Sequence, residues 1–400
     1  MCSYLGLTVL GFHGTAALLP QFIDSWHLSA TEAGWLLGVM SLCALLATPA
    51  IALTDRIDAR KIMIIGTLTN GLGYTGFGLF ADGLYSAMFF RGLMGIGFAL
   101  SYMPGLKAMA DRMNAEQQTR AASIYVSSFS ICSSLSIAIA GLVAGSSGWR
   151  WAYAVPACSN LLAAILLLLF LAPSRIVPLL SIDINGVAKR APALLDFRPV
   201  IANRAAMGFV IGGFAHSVEL LAVRGWTVAF LTFVAGLHVG DAPNWNLSLV
   251  ATVLILLGVP SAMIGGAVAQ RYGQVRIALG ILLGSAVVAA MVGFAASWPY
   301  WLFFLGPLLV HNLLILADGG VLSAGMMSRA DPQRRGSTVA FFTLCGSFGS
   351  FGGPVLFGAV LDWAGGRHSV TAWGLAFASI GLVSLICAFA LHRLAGRAQS

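Results

Sequence analysis

Twelve apolar stretches of about 20 residues, separated by short gaps that hold most of the charge, restrict this chain to a bundle of membrane helices. The runs lie at approximately 4–22, 33–54, 61–81, 85–109, 119–144, 150–172, 204–236, 247–269, 276–297, 299–326, 337–361 and 370–391. A hydrocarbon core takes about 20 helical residues, and within it every backbone N–H and C=O must be paired inside the protein, which a helix does by itself. Composition agrees, because 58% of the residues are hydrophobic and 9% charged, against roughly 25% charged in a soluble domain. The seventh run is too long for one straight span, so it predicts a break near Gly225 or a helix projecting beyond the bilayer.

One long polar connection, about Ser174 to Asn203, carries Arg175, Lys189, Arg190 and Arg198. It divides the chain into a six-helix half at 1–173, a linker at 174–203 and a second half at 204–400. The expected fold is therefore an all-α integral membrane protein of two six-helix bundles. Lys and Arg favour cytoplasmic loops, and 18 of the 22 fall on the side of that linker. The opposite loops hold Arg150 and Arg367, while Arg91 and Arg224 lie inside runs. Both termini and the linker are thus expected in the cytoplasm, with the chain crossing the inner (plasma) membrane of a bacterium.

The formal net charge of +8 does not indicate nucleic acid, since the basic residues are scattered among gaps and not gathered on one solvated face. Five of the six cysteines sit in apolar runs, where Cys behaves as a small hydrophobe, and no spacing suggests a metal site. No cofactor is expected. The first run lacks a basic leader and a small-residue cleavage site, and so reads as a span and not a signal peptide. It begins almost at Met1, which leaves a truncated start open.

The loops repeat at a separation of half the chain. After the second run stands Thr54-Asp55-Arg56-Ile57-Asp58-Ala59-Arg60-Lys61, and after the eighth Gly266-Ala267-Val268-Ala269-Gln270-Arg271-Tyr272-Gly273-Gln274-Val275-Arg276. Likewise, Asp111 to Arg120 after the fourth run matches Arg329 to Gly336 after the tenth. Such repeats suggest two homologous bundles around a central pathway.

The first pair of loops resembles the signature of the major facilitator superfamily between helices two and three. Ile51 and Asp58 stand where that family usually has glycines, and Gln270 replaces the second-half acid. The resemblance implies a gate in which Asp55, Arg56, Arg60, Lys61, Arg271 and Arg276 hold one cytoplasmic arrangement closed; a plain basic anchor is the competing account, and leaves Asp55 unexplained. Arg91-Gly92-Leu93-Met94-Gly95-Ile96-Gly97 is similar to the family's helix-four motif, an intramembrane Arg followed by glycines that allow close packing. Gly349 to Gly358 resembles a Gly-Pro motif that exporters carry in helix five, but here it stands in the eleventh run. The stretch His216 to Leu220 with Arg224-Gly225-Trp226 is similar to bacterial members near the cyanate and organic-anion permeases.

Ionisable groups inside a bilayer cost several kcal/mol, so the few present point to a pathway. They are His13, Arg91, His216, Glu219, Arg224, His311 and Asp318, on the first, fourth, seventh and tenth runs. Those four helices line the central cavity in the family that the chain resembles. His216, Glu219 and Arg224 share one stripe of the seventh run, as His311 and Asp318 share one of the tenth. Glu219 and Asp318 are candidate proton carriers; alternatively, Glu219 pairs with His216 or Arg224, and Asp318 with a neighbouring helix, to satisfy buried charge. Arg91 and Arg224 offer bidentate contacts to a carboxylate or phosphate; in the competing reading Arg91 is a proton-coupling or helix-positioning group and Arg224 snorkels to the interface. His13, His216 and His311 are candidates for substrate or protons, and Trp226 and Tyr102 for stacking on substrate or for the interfacial aromatic belt.

The function expected from these residues is proton-coupled movement of a small anionic solute by alternating access, in a chain acting as a monomer among membrane lipid. Efflux of drugs or amphiphilic metabolites is the alternative, and would need a wide apolar cavity in which only the acids matter. No Gly-x-x-x-x-Gly-Lys loop is present for nucleotide. No convergent nucleophile and base suggests an intramembrane enzyme. Metal uptake through Met109, Met113, His216 and His311 is disfavoured because the methionines lie away from the histidines.

Overall fold

The computed structural model describes residues 1–52, 57–110, 112–113, 115–173, 197–240 and 244–396. Asp55, Arg56 and most of the 174–203 linker therefore lie outside the described residues. Twelve helical segments follow the twelve apolar runs to within a few residues. Among the described residues, ten helices are long and apolar enough to cross a membrane by themselves: Ala30–Ile51, Leu84–Met109, Ile124–Ser147, Trp149–Phe170, Arg204–Leu237, Leu247–Tyr272, Gln274–Val292, Tyr300–Arg329, Pro332–Trp363 and Val370–Gly396. The third segment, Ala59–Phe80, is also of spanning length, with its apolar character diluted by Arg60, Lys61 and five glycines.

The first span departs from a regular helix. It runs as Cys2–Thr8, a non-helical stretch at 9–13, then Gly14–Ala17 and Leu19–Trp26. An interrupted helix leaves carbonyls that lipid cannot satisfy, and neighbouring side chains supply the donors. Ser159 Oγ donates to Leu7 O at 2.6 Å and Asn70 Nδ2 to Thr8 O at 3.1 Å, while the His13 N–H is accepted by Ser136 Oγ at 2.9 Å. Gly11 is required there, since a Cβ would stand 2.5 Å from the Tyr74 ring.

Of the two outcomes expected for the long seventh run, the break near Gly225 does not occur and the projecting helix does. Arg204–Leu237 is one continuous 34-residue helix, about 50 Å long at 1.5 Å per residue, so it projects beyond the hydrocarbon. Gly225 serves instead as a point of close approach, where a Cβ would lie 2.8 Å from Leu37 Cδ1 of the second span. In the tenth span the backbone does deviate, at Gly306, just before Pro307.

The two halves meet mainly where the second span crosses the eleventh and the fifth crosses the eighth. The first of these crossings has backbone against backbone: a Cβ on Gly34 would be 2.4 Å from Pro354 O, and one on Gly358 2.1 Å from Ala30 O. Polar ties between the bundles gather at the face away from the basic loops. Asp362, at the end of the eleventh span, accepts from Ala30 N (2.9 Å), Thr31 N (2.8 Å) and Thr31 Oγ1 (2.6 Å), so it caps the second span from the other bundle. Beside it, Arg367 Nη2 donates to Asp24 Oδ1 at 2.5 Å.

At the basic face the described part of the signature loops packs within each bundle. Asp58 accepts from Arg60 N at 3.0 Å as N-cap of the third span, which accounts for an acid where a glycine is usual. Arg60 reaches the last carbonyls of the sixth span, Leu167 O at 3.2 Å and Leu168 O at 2.7 Å. Lys61 and Arg276 are exposed, and Arg271 stacks on Tyr272. Gly273, at φ 95°, makes the tight turn between the eighth and ninth spans that a side chain would strain.

Candidate functional site

The costly polar side chains of the interior collect in two places and not one. The first is a cavity between the bundles at the interruption of the first span, bordered by Phe12, His13, Ala16, Leu37, Met40, Ser41, Arg91, Leu221, Gly225 and Pro354. It measures about 20 Å³, room for roughly one water molecule. Arg91 is held by the second span, donating from Nε to Leu36 O at 3.3 Å and from Nη2 to Leu37 O at 3.1 Å. Gly95 allows this close approach of the second span, because a Cβ there would collide with the backbone at Met40, while Gly97 admits the third span at Asn70. Arg91 Nη1 and His13 Nε2 are both buried without a hydrogen-bond partner. None of the described residues bordering the cavity carries a carboxylate. Arg224, next in sequence to Gly225, is 7% exposed, so it is buried and does not snorkel, and it is near enough to His13 to act on it electrostatically.

The second place is inside the second bundle, where the antiparallel seventh and tenth spans pair crosswise. His216 Nδ1 meets Asp318 Oδ1 at 2.6 Å and His311 Nε2 meets Glu219 Oε1 at 2.7 Å. The partners of Glu219 are therefore not His216 or Arg224, as the shared stripe suggested, but a histidine on the facing helix. Ser285 of the ninth span donates to Glu219 Oε1 at 2.6 Å and Ser384 of the twelfth to Oε2 at 2.9 Å. Glu219 and Asp318 are each 1% exposed and His311 is fully buried, whereas the His216 side chain keeps 18% of its surface exposed. These residues face one another within the bundle, not the cavity that Arg91 borders.

Of the two aromatic candidates, Trp226 is fully buried in the second bundle, packed against Phe357 and Trp373, with Nε1 donating to Pro354 O at 3.1 Å. It borders a cleft of about 370 Å³ at the face away from the basic loops, beside Asp24 and Arg367. Tyr102 is half-buried among Phe98, Tyr125 and Phe129 of the first bundle. Among the described residues no group of three His, Cys, Asp or Glu is placed to hold a metal ion.

Sequence reasoning missed Ser285, Ser384, Ser136, Asn70 and Asp362. The first four are uncharged groups of kinds common in membrane helices, and Asp362 reads as an ordinary helix-end acid until its partner on another helix is known.

Comparison with known proteins gives this geometry a family. The family model described as Major Facilitator Superfamily matches residues 1–328. Protein spinster homolog 3 of Homo sapiens is 25% identical over 98% of this chain and 80% of its own length, and its Mus musculus counterpart is 26% identical over 84% and 68%. Among solved structures, a bacterial homolog to the human lysosomal transporter spinster, in an inward-facing and occupied conformation, superposes with a TM-score of 0.80 at 16% identity, covering 99% of this chain and 95% of that one. A mutant of the nucleoside transporter NupG gives 0.76 at 12% identity, with 98% of each chain covered. With two six-helix halves meeting around a buried cationic cavity, and a family model matched over most of its length, the chain belongs to the major facilitator superfamily of secondary transporters, which work by alternating access.

Proposed function

We propose that this transporter moves a small anionic solute and couples that movement to protons. The observation that carries the reading is the pair of unpartnered nitrogens, Arg91 Nη1 and His13 Nε2, on two residues that border one carboxylate-free cavity between the bundles. A buried guanidinium with a free N–H carries a desolvation cost that an anionic ligand offsets, and Arg224 adds to the local positive charge. A drug-efflux site lined by apolar surface, with acids as its only active groups, would not need these cations.

Proton coupling is assigned to the His216–Asp318 and Glu219–His311 pairs. The seventh span carries His216 and Glu219 and, two and six residues beyond Glu219, the cavity-lining Leu221 and Gly225. A change in protonation that loosens the seventh span from the tenth therefore shifts the wall of the cavity as well. His216, the most exposed of the four, is the point of proton exchange with water. With the basic loops in the cytoplasm of a bacterial cell, the ties at Asp362 and Arg367 lie on the external side and hold it closed. The chain acts as a monomer in this scheme, since both half-sites come from one molecule.

The test is a thermal-shift screen of the purified protein against small carboxylates and inorganic phosphate at two pH values, because a ligand stabilises the state that it binds. Stabilisation by an anion, lost in Arg91→Gln, is expected. In proteoliposomes Glu219→Gln should still exchange that anion but fail to accumulate it on an imposed pH gradient. Gradient-driven accumulation by Glu219→Gln would remove the coupling assignment, and anion binding unchanged in Arg91→Gln would remove the anion site.

A further inference from the structure

Resting on the anion reading, the geometry points to a narrower substrate class: we propose that the solute is an aromatic acid, a planar ring bearing a negative charge, whose ring lies against a wall of aromatic side chains beginning at the cationic cavity, which has room for about one water molecule in this conformation and widens to admit the solute as the bundles rock. Arg91, Phe98 and Tyr102 stand seven and eleven residues apart on the fourth span, within about 20° of one line along the helix. The face that presents the guanidinium therefore continues as two rings toward the basic side. Phe98 and Tyr102 are stacked, with centroids 5.4 Å apart and planes at 23°.

Phe12 joins the wall to the charges. It borders the cavity beside His13 and Arg91, and its ring lies 4.7 Å from Phe98 and 5.3 Å from Phe129. Phe129 in turn lies 5.2 Å from Tyr102. Behind these rings the buried Val9 and Tyr125 fill the first bundle, while Phe12, Phe98, Tyr102 and Phe129 keep part of their surface uncovered.

Two features select an aromatic acid over a simple anion. The Arg91 guanidinium, with Nη1 unpartnered, fixes one end of the solute by charge, beside the unpartnered His13 Nε2. The rings next to them offer π faces, which prefer offset or edge contacts with another ring and add about 0.5–1.5 kcal/mol per ring pair beyond area burial, a factor of about two to ten. A saturated ring of the same volume and charge gains none of that increment, so selectivity between the two reports the wall itself.

The experiment measures stabilisation of the purified full-length protein by benzoate, cyclohexanecarboxylate, benzyl alcohol and inorganic phosphate, in the wild type and in Phe98→Leu, Tyr102→Leu and Arg91→Gln. Benzoate is expected to bind about two- to tenfold more tightly than cyclohexanecarboxylate, with the preference lost in Phe98→Leu or Tyr102→Leu while cyclohexanecarboxylate still binds. A structural role for the rings would lower the melting temperature of the ligand-free protein without changing that ratio. Equal binding of the two acids, or binding of phosphate alone, overturns the aromatic assignment and leaves the anion site standing. Benzyl alcohol binding as well as benzoate, with no effect of Arg91→Gln, overturns the anion site itself.

Discussion

Removing the Asp362 carboxylate should open the face away from the basic loops. Asp362 accepts three hydrogen bonds from Ala30 and Thr31 of the opposite bundle, and these exist only while the ends of the second and eleventh spans are together. Loss of a side-chain N-cap costs about 0.5–2 kcal/mol, and loss of a negative charge beside a helix N-terminus about 0.3–1 kcal/mol. Because the carboxylate is exposed, the lower part of the combined range applies, about 1–2 kcal/mol, or a factor of about 5 to 30 in the closed-to-open ratio. The neighbouring Arg367–Asp24 pair, with side chains 35% and 64% exposed, is a surface ion pair worth about 0–1 kcal/mol, so Asp24→Asn should shift the ratio less than Asp362→Ala. Electron-paramagnetic-resonance distances between spin labels at Ser25 and Val239, on the two bundles and in a background without the native cysteines, report that ratio directly. An unchanged distance distribution in Asp362→Ala, or a larger shift in Asp24→Asn, would refute the assignment of closure to this cap.

Two further outcomes follow from the interior. Glu219→Ala leaves His311, Ser285 and Ser384 buried without their acceptor, and should lower stability by about 3–5 kcal/mol, read as a fall in melting temperature in detergent, with Glu219→Gln losing less; an unaltered melting curve for the alanine variant would count against the pairing. Asn70→Leu deprives Thr8 O of its donor and Asn160 of its partner, at about 1–3 kcal/mol for the unsatisfied groups, and should weaken anion binding through the displaced first span; binding equal to wild type would show that Asn70 does not support the site.

The twelve segments and the two halves were legible because hydropathy and loop charge are one-dimensional signals, and the bilayer imposes both on the chain directly. What the chain does inside the spans was harder to read. Helical spacing placed His216 and Glu219 on one stripe and His311 and Asp318 on another, but a stripe does not say which helix it faces, and the crosswise pairing appears only once the seventh and tenth spans lie side by side. The length of the seventh run allowed either a break near Gly225 or a projecting helix, and only the structure decides between them: the missing side chain of Gly225 admits Leu37 and the helix runs on. The interruption at 9–13 carried weaker marks, Gly11 and Gly14 beside His13, and depends on Ser159, Asn70 and Ser136 from other helices. Asp55 and Arg56 of the signature loop lie outside the described residues.

The crossing of the second and eleventh spans bears on speed more than on balance. Where Gly34 and Gly358 bring main chain against main chain, no side chain at those two positions has to be withdrawn before one helix rolls over the other, and the Trp35 and Phe351 rings, 5.0 Å apart edge to face, are the aromatic contact of the crossing. Such a smooth bearing lowers the barrier to rocking and leaves the resting preference to the ties at the rim, so turnover rate and resting orientation become separately tunable in one molecule.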